Sequence, residues 1–190
     1  MVTTIKIIVP TLNTFQILPK LIDSLKIQTW QKWKLLFVDG DSTTKHFDWI
    51  KTACLLDSRI NVIKQDRKYK GIYGAMNQGV RTIKKNELIL FWGSDDWAIS
   101  PTVFEDIIIK LNNHKNKYDL LICRGRYIDL KTKRITRKSN FLNNKFLIKL
   151  SRKQFRKSLF LGKTPPHQAT FFTKNAFDKH SSFSANFLHA

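Results

Sequence analysis

Three observations predict an α/β fold with a doubly wound, mostly parallel sheet. Short apolar runs alternate with helical patterns through residues 1–124, the runs are near-continuously apolar, and turn-forming or acidic clusters follow several of them. A strand apolar on both faces needs cover on both faces, and parallel neighbours need helical crossovers between them.

The elements follow in order. Ile5 to Val9 is a β-branched run closed by Pro10, and Ile17, Leu18, Leu21, Ile22 and Leu25 then mark one face of a helix. Trp33 to Val38 is a second strand, ending in the turn cluster Asp39-Gly40-Asp41-Ser42-Thr43. Phe47, Ile50, Ala53, Cys54 and Asp57 mark a weaker helix, and Ile60 to Ile63 a third strand. Gly71 to Ile83 reads as a helix with Ile72, Ala75, Met76, Val80 and Ile83 inward, followed by a strand over Glu87 to Trp92. Ser100 fits an N-cap and Pro101 a first helical position, so a helix is expected there, burying Val103, Phe104, Ile107, Ile108 and Leu111. Tyr118 to Cys123 supplies a fifth strand.

Gly93-Ser94-Asp95-Asp96 places two carboxylates where the fourth strand runs out. Ligands of open α/β sheets collect at the carboxyl ends of strands. Mg2+ takes one or two protein carboxylates and completes its shell with substrate phosphate and water, so the pair suits a cation carrying a phosphorylated substrate. An isolated Asp-Asp pair in a turn is ordinarily just solvated; the surrounding motifs change that reading.

Ile7 to Asn13, Phe37 to Thr43, Lys70 to Gly79, Phe91 to Asp96 and Pro166 to Phe172, in that order, together resemble the family-2 glycosyltransferases. Ile7-Ile8-Val9-Pro10-Thr11-Leu12-Asn13 is similar to that family's opening strand and loop, and Phe37-Val38-Asp39-Gly40-Asp41-Ser42-Thr43 to its second strand and acidic turn. Lys70-Gly71-Ile72-Tyr73-Gly74-Ala75-Met76-Asn77-Gln78-Gly79 resembles a helix-opening segment of the family, Phe91 to Asp96 its metal-binding loop, and Pro166-His167-Gln168-Ala169-Thr170-Phe171-Phe172 its His-Gln segment. The resemblance covers residues 4–110 and 165–178 and leaves 125–163 unmatched.

The resemblance implies a GT-A, Rossmann-like nucleotide-sugar-binding fold and transfer of a sugar, with inversion, from a nucleotide-diphospho-sugar. UDP is the expected nucleotide, Mn2+ or Mg2+ the expected cofactor, and a glycan or lipid-linked molecule the expected acceptor, as in cell-envelope polysaccharide synthesis. It assigns Asp96 as the direct metal ligand with Asp95 beside it, and Asp39 as the carboxylate that accepts the ring N–H of the base. Pro10, Thr11 and Asn13 line the same pocket, with Asp41 as a neighbour. Lys70, Gly71 and Asn77 belong to the donor side, Lys70 offsetting diphosphate charge, and His167 and Gln168 to the acceptor side. Tyr69 and Gly74 depart from the family pattern, which has Asp at both positions, and bear on the choice of sugar. The family's general base is expected beyond Ala190; Asp178 lies too early and His189 on an untethered end. The expectation is a C-terminally incomplete, donor-binding form that transfers weakly.

Composition bounds the alternatives. A chain of 190 residues is expected to form one domain, with a nucleotide-sugar-binding half over 1–124 and a basic acceptor-side half over 125–190. Cys54 and Cys123 read as reduced core thiols, and His46, His114, His167, His180 and His189 show no zinc spacing. With no apolar stretch of 18 residues and no signal peptide, the chain is expected to be cytoplasmic or peripheral to the inner face of a membrane.

The net charge of +20 is uneven: no acidic residue lies between Asp129 and Asp178, a stretch holding 13 Lys and Arg residues. Phe141, Phe146, Phe155, Leu159, Phe160 and Leu161 are interleaved with the cations, so 131–163 is expected to contact anionic lipid. A basic nucleic-acid-binding protein would carry similar charge and aromatics but leaves Asp39, Asp95 and Asp96 unexplained. A nucleotidyltransferase would need a phosphate-grasping loop that Pro10 to Phe15 does not supply.

Overall fold

The computed structural model describes residues 4–113, 118–129, 131–139, 141, 150–179 and 183–184. Strand β1 (Thr4–Thr11) leads into helix α1 (Leu18–Lys26), whose first turn holds Pro19, where a missing N–H costs no helical bond. Leu18, Leu21, Ile22 and Leu25 are buried as their spacing predicts, while Ile17 stands outside as the exposed N-cap. There follow β2 (Trp33–Asp39), α2 (Thr44–Leu56), β3 (Ile60–Lys64), α3 (Gly71–Val80), β4 (Glu87–Phe91) and α4 (Val103–Asn113).

Two helices differ from the sequence expectation. Ile72 is exposed, and α3 ends at Val80, leaving Ile83 buried beyond it. Helix α4 starts at Val103, because the carbonyls of Ser100 and Pro101 are taken by the loop after α1: Gln28 Nε2 donates to Ser100 at 2.8 Å and Thr29 N to Pro101 at 2.8 Å.

The second half adds β5 (Leu120–Ile122), the hairpin β6 (Arg126–Ile128) and β7 (Ile135–Lys138), helix α5 (Arg152–Phe160), β8 (Thr170–Thr173) and α6 (Lys174–Lys179). The six-stranded sheet runs β3-β2-β1-β4-β8-β5, with β1 to β4 mutually parallel and β8 antiparallel to both neighbours. Strand β8 separates β4 from β5, a pairing the His-Gln segment did not announce.

Each sheet face carries its own core. Ile5, Ile7, Val9, Leu35, Phe37, Leu88 and Leu90 face one way, against residues of α1, α2 and α4. Ile8, Leu36, Val38, Ile89 and Phe91 face the other way, against Ala75 and Met76 of α3 and Phe177 of α6. Burial on both sides explains the absence of polar alternation in these strands; each large side chain so buried contributes roughly 1.5–3 kcal/mol.

The order of strands positions the site. The chain builds outward from β1 through β2 to β3, then crosses back to place β4 on the other side of β1. Pairing of β1 with β4 ends at Ile8 and Phe91, while β1 continues beside β2 to Thr11 and Asp39. The carboxyl ends of β1 and β4 therefore part at the reversal of strand order, where open α/β sheets form their ligand crevice.

Candidate active site

Loops after β1 and β2 are held together by reciprocal hydrogen bonds. Asn13 Oδ1 accepts from Thr43 N at 2.9 Å and Asn13 N donates to Ser42 Oγ at 3.0 Å. Asn13 and Asp41 both adopt left-handed backbone conformations, with φ of 53° and 71°. Asn and Asp tolerate this region better than other side chains, and such strain gathers at functional sites. Pro10 pairs with Val38 at the end of the ladder, and Asp41 lies near Arg67, at 3.6 Å on the surface.

Asp39 is 1% exposed: Ser42 N donates to its Oδ2 at 3.2 Å, and its buried Oδ1 has no hydrogen-bond partner. His46, wholly buried on the first turn of α2, sets Nε2 at 3.1 Å from Thr11 Oγ1 and 3.5 Å from Asp39 Oδ1. Thr11 and Thr14 hydroxyls meet at 2.7 Å, and Thr14 donates to Ser94 Oγ at 2.9 Å. A polar chain thus crosses from the end of β2, over β1, to the loop after β4. His46, Thr14 and Ser94 were not singled out from the sequence; the spacing of His46 to buried Ile50 on α2 was the available signal.

In the β4 loop, Asp95 is exposed and Asp96 half-buried, Gly93 N donating to Asp96 Oδ2 at 2.6 Å. A Cβ on Gly93 would stand 2.9 Å from Asp95 Oδ1 and 3.3 Å from Asp96 Oδ2, so both carboxylates converge over the bare face of that glycine. Burial, reinforced by the Asp95 charge, pushes the Asp96 carboxyl up to about 6, against the opposing Gly93 hydrogen bond. Among the described residues no three His, Cys, Asp or Glu side chains cluster as a metal cage. Two carboxylates converging over the bare face of Gly93 nonetheless fit a hard cation that arrives with a diphosphate.

Lys70 and Gly71 begin α3, and Gln65 ties that corner to the site: its N donates to Asp39 O at 2.7 Å and its Nε2 to Gly71 O at 2.8 Å. The departure at Gly74 has a structural reason in the backbone at residue 69. A Cβ on Gly74 would lie 2.2 Å from the Tyr69 carbonyl oxygen, so the loop occupies the space that an Asp at 74 would need.

Asn77 and His167 sit apart, around Phe183. Asn77 Nδ2 donates to Phe183 O at 2.8 Å and its Oδ1 accepts from Phe183 N at 2.9 Å. His167 stacks on Phe91 at 5.4 Å and meets Phe183 at 5.8 Å, its Nε2 buried without a partner. Gln168 turns elsewhere: its carbonyl accepts from Trp92 Nε1 at 3.0 Å, and the residue lines a cavity of about 190 Å³ with Trp92, Asp96, Trp97 and Tyr127. Asp178 on α6 is ion-paired with Lys174, while His114, His180, His189 and the region expected to hold the general base lie outside the described residues. Both cysteines are free and partly buried, and burial pushes the Cys123 thiol up to about 11.

The titrating groups predict a pH response. Burial holds His46 and His167 below their ordinary 6.5, so on acidification the unfolded chain takes up protons that the folded chain refuses, and stability falls as pH drops below that value. Asp96 has the opposite sign: the folded chain binds its proton first between about 6 and 3.8, adding stability as pH falls. Metal-free Asp96→Asn protein should therefore lose stability more steeply than wild type between pH 6 and pH 4 in urea unfolding.

A sequence model of the family described as glycosyl transferase family 2 matches residues 6–180. A "PGL/p-HBAD biosynthesis glycosyltransferase" of Mycobacterium bovis (strain BCG / Pasteur 1173P2) is 40% identical over 91 residues, 47% of this chain and 34% of that protein. "Glycosyltransferase GlyG" of Streptococcus pneumoniae serotype 4 (strain ATCC BAA-334 / TIGR4) is 28% identical over 123 residues, 65% of this chain and 38% of that protein. The chain thus spans little more than a third of the length of these curated relatives. In fold it is similar to S. aureus TarS 1-349 in complex with UDP, with a TM-score of 0.69 and 18% identity over 97% of this chain and 51% of that one. It is also similar to the mannosyltransferase PcManGT from Pyrobaculum calidifontis in complex with GDP-Man and Mn2+, with a TM-score of 0.66 and 12% identity over 98% and 49%.

Proposed function

Because the chain belongs to glycosyl transferase family 2, we propose that it binds a nucleoside-diphosphate sugar, UDP-linked, and moves the sugar with inversion to a glycan or lipid-linked acceptor. The observation that carries this reading is the crevice itself. Thr11 and Asp39 at the ends of β1 and β2, and Asp95 and Asp96 after β4, flank the point where strand order reverses. In this scheme the chain is one domain, 1–124 serving the donor and 125–190 the acceptor.

Each residue has a task in this scheme. Asp39 accepts the imide N–H of uracil, with Pro10, Thr11, Asn13 and Asp41 shaping the wall around it. Asp96 and Asp95 hold Mn2+ or Mg2+, which when bound neutralises the charge growing on the departing diphosphate. Lys70 and Gly71, at the amino end of α3, face the same negative charge. Gln168 and the cavity beside Asp96 belong to the acceptor side, which His167 shapes through Phe183, and Asn77 of α3 is kept on the donor side.

The named neighbours support a nucleotide donor: the TarS structures contain UDP or UDP-GlcNAc, and PcManGT contains GDP-Man with Mn2+. Calorimetry tests the reading. UDP should bind, more tightly with Mn2+ than without; a chain that ignores UDP and Mn2+ but takes up single-stranded RNA would instead be a nucleic-acid binder.

Among the described residues no helix is long and apolar enough to cross a membrane. Helix α5 has no buried residue, Phe160 at its end is 91% exposed, and Arg152, Lys153, Arg156 and Lys157 share its nine positions. Phe141, buried, holds this helix through Phe155 at 5.9 Å; residues 142–149 of the basic segment lie outside the described residues. We assign this surface to anionic lipid, each cation contributing about 1 kcal/mol there. The protein should sediment with phosphatidylglycerol vesicles at low salt and be released as salt rises. Equal sedimentation with neutral vesicles would reject the assignment.

A further inference from the structure

His46 is the one fully buried imidazole beside the crevice among the described residues, and its two nitrogens are in unequal surroundings. Nε2 faces Thr11 Oγ1 at 3.1 Å and Asp39 Oδ1 at 3.5 Å, whereas Nδ1 is buried with no hydrogen-bond partner. An uncharged ring carries one N–H. Were it on Nδ1, a buried donor would be unpaired and the Nε2 lone pair would confront a carboxylate oxygen. Placing it on Nε2 satisfies Thr11 and sets a positive hydrogen toward Asp39 Oδ1.

That choice orders the hydroxyl protons beyond it. Thr14 gives its only hydroxyl hydrogen to Ser94, so in the 2.7 Å contact Thr11 must donate to Thr14, and Thr11 is then open to accept from His46. The direction is single: His46 to Thr11 to Thr14 to Ser94. One end lies beside the base-side carboxylate and the other in the loop of Asp95 and Asp96.

We infer that His46 is a positioning and base-selecting residue, whose Nε2–H holds Asp39 with its free acceptor capacity turned to a nucleobase that presents a ring N–H. The inference rests on the donor reading above. Ser42 N fixes Oδ2, and the Nε2–H of His46, 3.5 Å from Oδ1, holds that oxygen by charge attraction while leaving its hydrogen-bond capacity free for the base. The ligand class is an imide-bearing base such as uracil; cytosine, whose N3 carries no hydrogen, is the matched misfit.

Calorimetry with UDP, CDP and pyrophosphate, each with Mn2+, tests this directly. Wild type should prefer UDP to CDP. His46→Phe keeps the ring's bulk but lacks the N–H, and should weaken UDP about tenfold, the worth of one well-placed hydrogen bond, while CDP and pyrophosphate hold their affinities. His46→Gln, which returns an amide N–H, should recover part of the UDP preference. A His46→Phe protein that keeps the wild-type UDP-to-CDP ratio, or loses all three ligands equally, overturns the inference. Wild type that binds no UDP rejects the donor reading and this inference together. Nitrogen-15 NMR of the wild-type ring needs no variant: the proton on Nε2 supports the role, and the proton on Nδ1 overturns it.

Discussion

Asp96→Asn should reduce Mn2+-dependent UDP binding to the level seen without metal and leave the fold intact. Asparagine retains an oxygen able to accept from Gly93 N, so the 2.6 Å bond that shapes the loop survives. What disappears is the charge, and with it the anionic ligand. The loss should exceed the roughly 10–100-fold that removal of a mere supporting group costs a metal site. Stability should change little, or rise slightly near neutral pH, because burial already disfavours the ionised form, with its carboxyl at about 6. UDP titrations with and without Mn2+ decide it: an undiminished metal effect in a folded variant would move the cation elsewhere.

The second large effect lies at the opposite end of the same strand and should leave binding alone. Glu87, 2% exposed at the start of β4, accepts from Lys84 N at 2.9 Å and pairs with Lys34 at 3.2 Å and Lys6 at 3.9 Å. Burial pulls the Lys6 ammonium down while Glu87 opposes the shift, so the carboxylate is what makes that charge tolerable. Glu87→Ala should cost about 3 kcal/mol, the lower end for breaking a buried pair. Lys6 keeps its bonds to Thr82 O at 3.0 Å and Thr82 Oγ1 at 2.7 Å, which limits the damage. Urea unfolding should report the loss, and UDP affinity in the folded variant should match wild type. Equal weakening of UDP would show that the two ends of β4 are energetically coupled.

The contrast between these two carboxylates explains what the sequence makes legible. Strands β1, β2 and β4 were readable because each is covered on both faces and so lacks polar alternation, and the carboxylates stood out because they interrupt such runs at their ends. Glu87 interrupts nothing: it opens a run, and its partners Lys6 and Lys34 are brought to it only by sheet order. Strand β8 was missed for a related reason. Thr170-Phe171-Phe172-Thr173 is four residues long and gains strand character by pairing with β4, some 80 positions earlier.

Within the site, the turn after β2 and the loop after β4 could be read as motifs, but the link between them could not. Thr14 and Ser94 are ordinary loop residues until the fold sets their hydroxyls 2.9 Å apart. His46 was hidden differently, within a helix whose apolar pattern is weak, and only its register with Ile50 shows that it turns inward. The reason for glycine at 74, the residue 69 carbonyl lying where a side chain would be, is visible only in three dimensions.

Anomalous scattering from Mn2+ in crystals grown with UDP tests the central claim most directly. The manganese peak should lie against Asp96 and Asp95 over Gly93, with the diphosphate beside it and the uracil ring against Asp39. A peak remote from Asp95 and Asp96, or a nucleotide bound away from the crevice between β1 and β4, would contradict the assignment of this site.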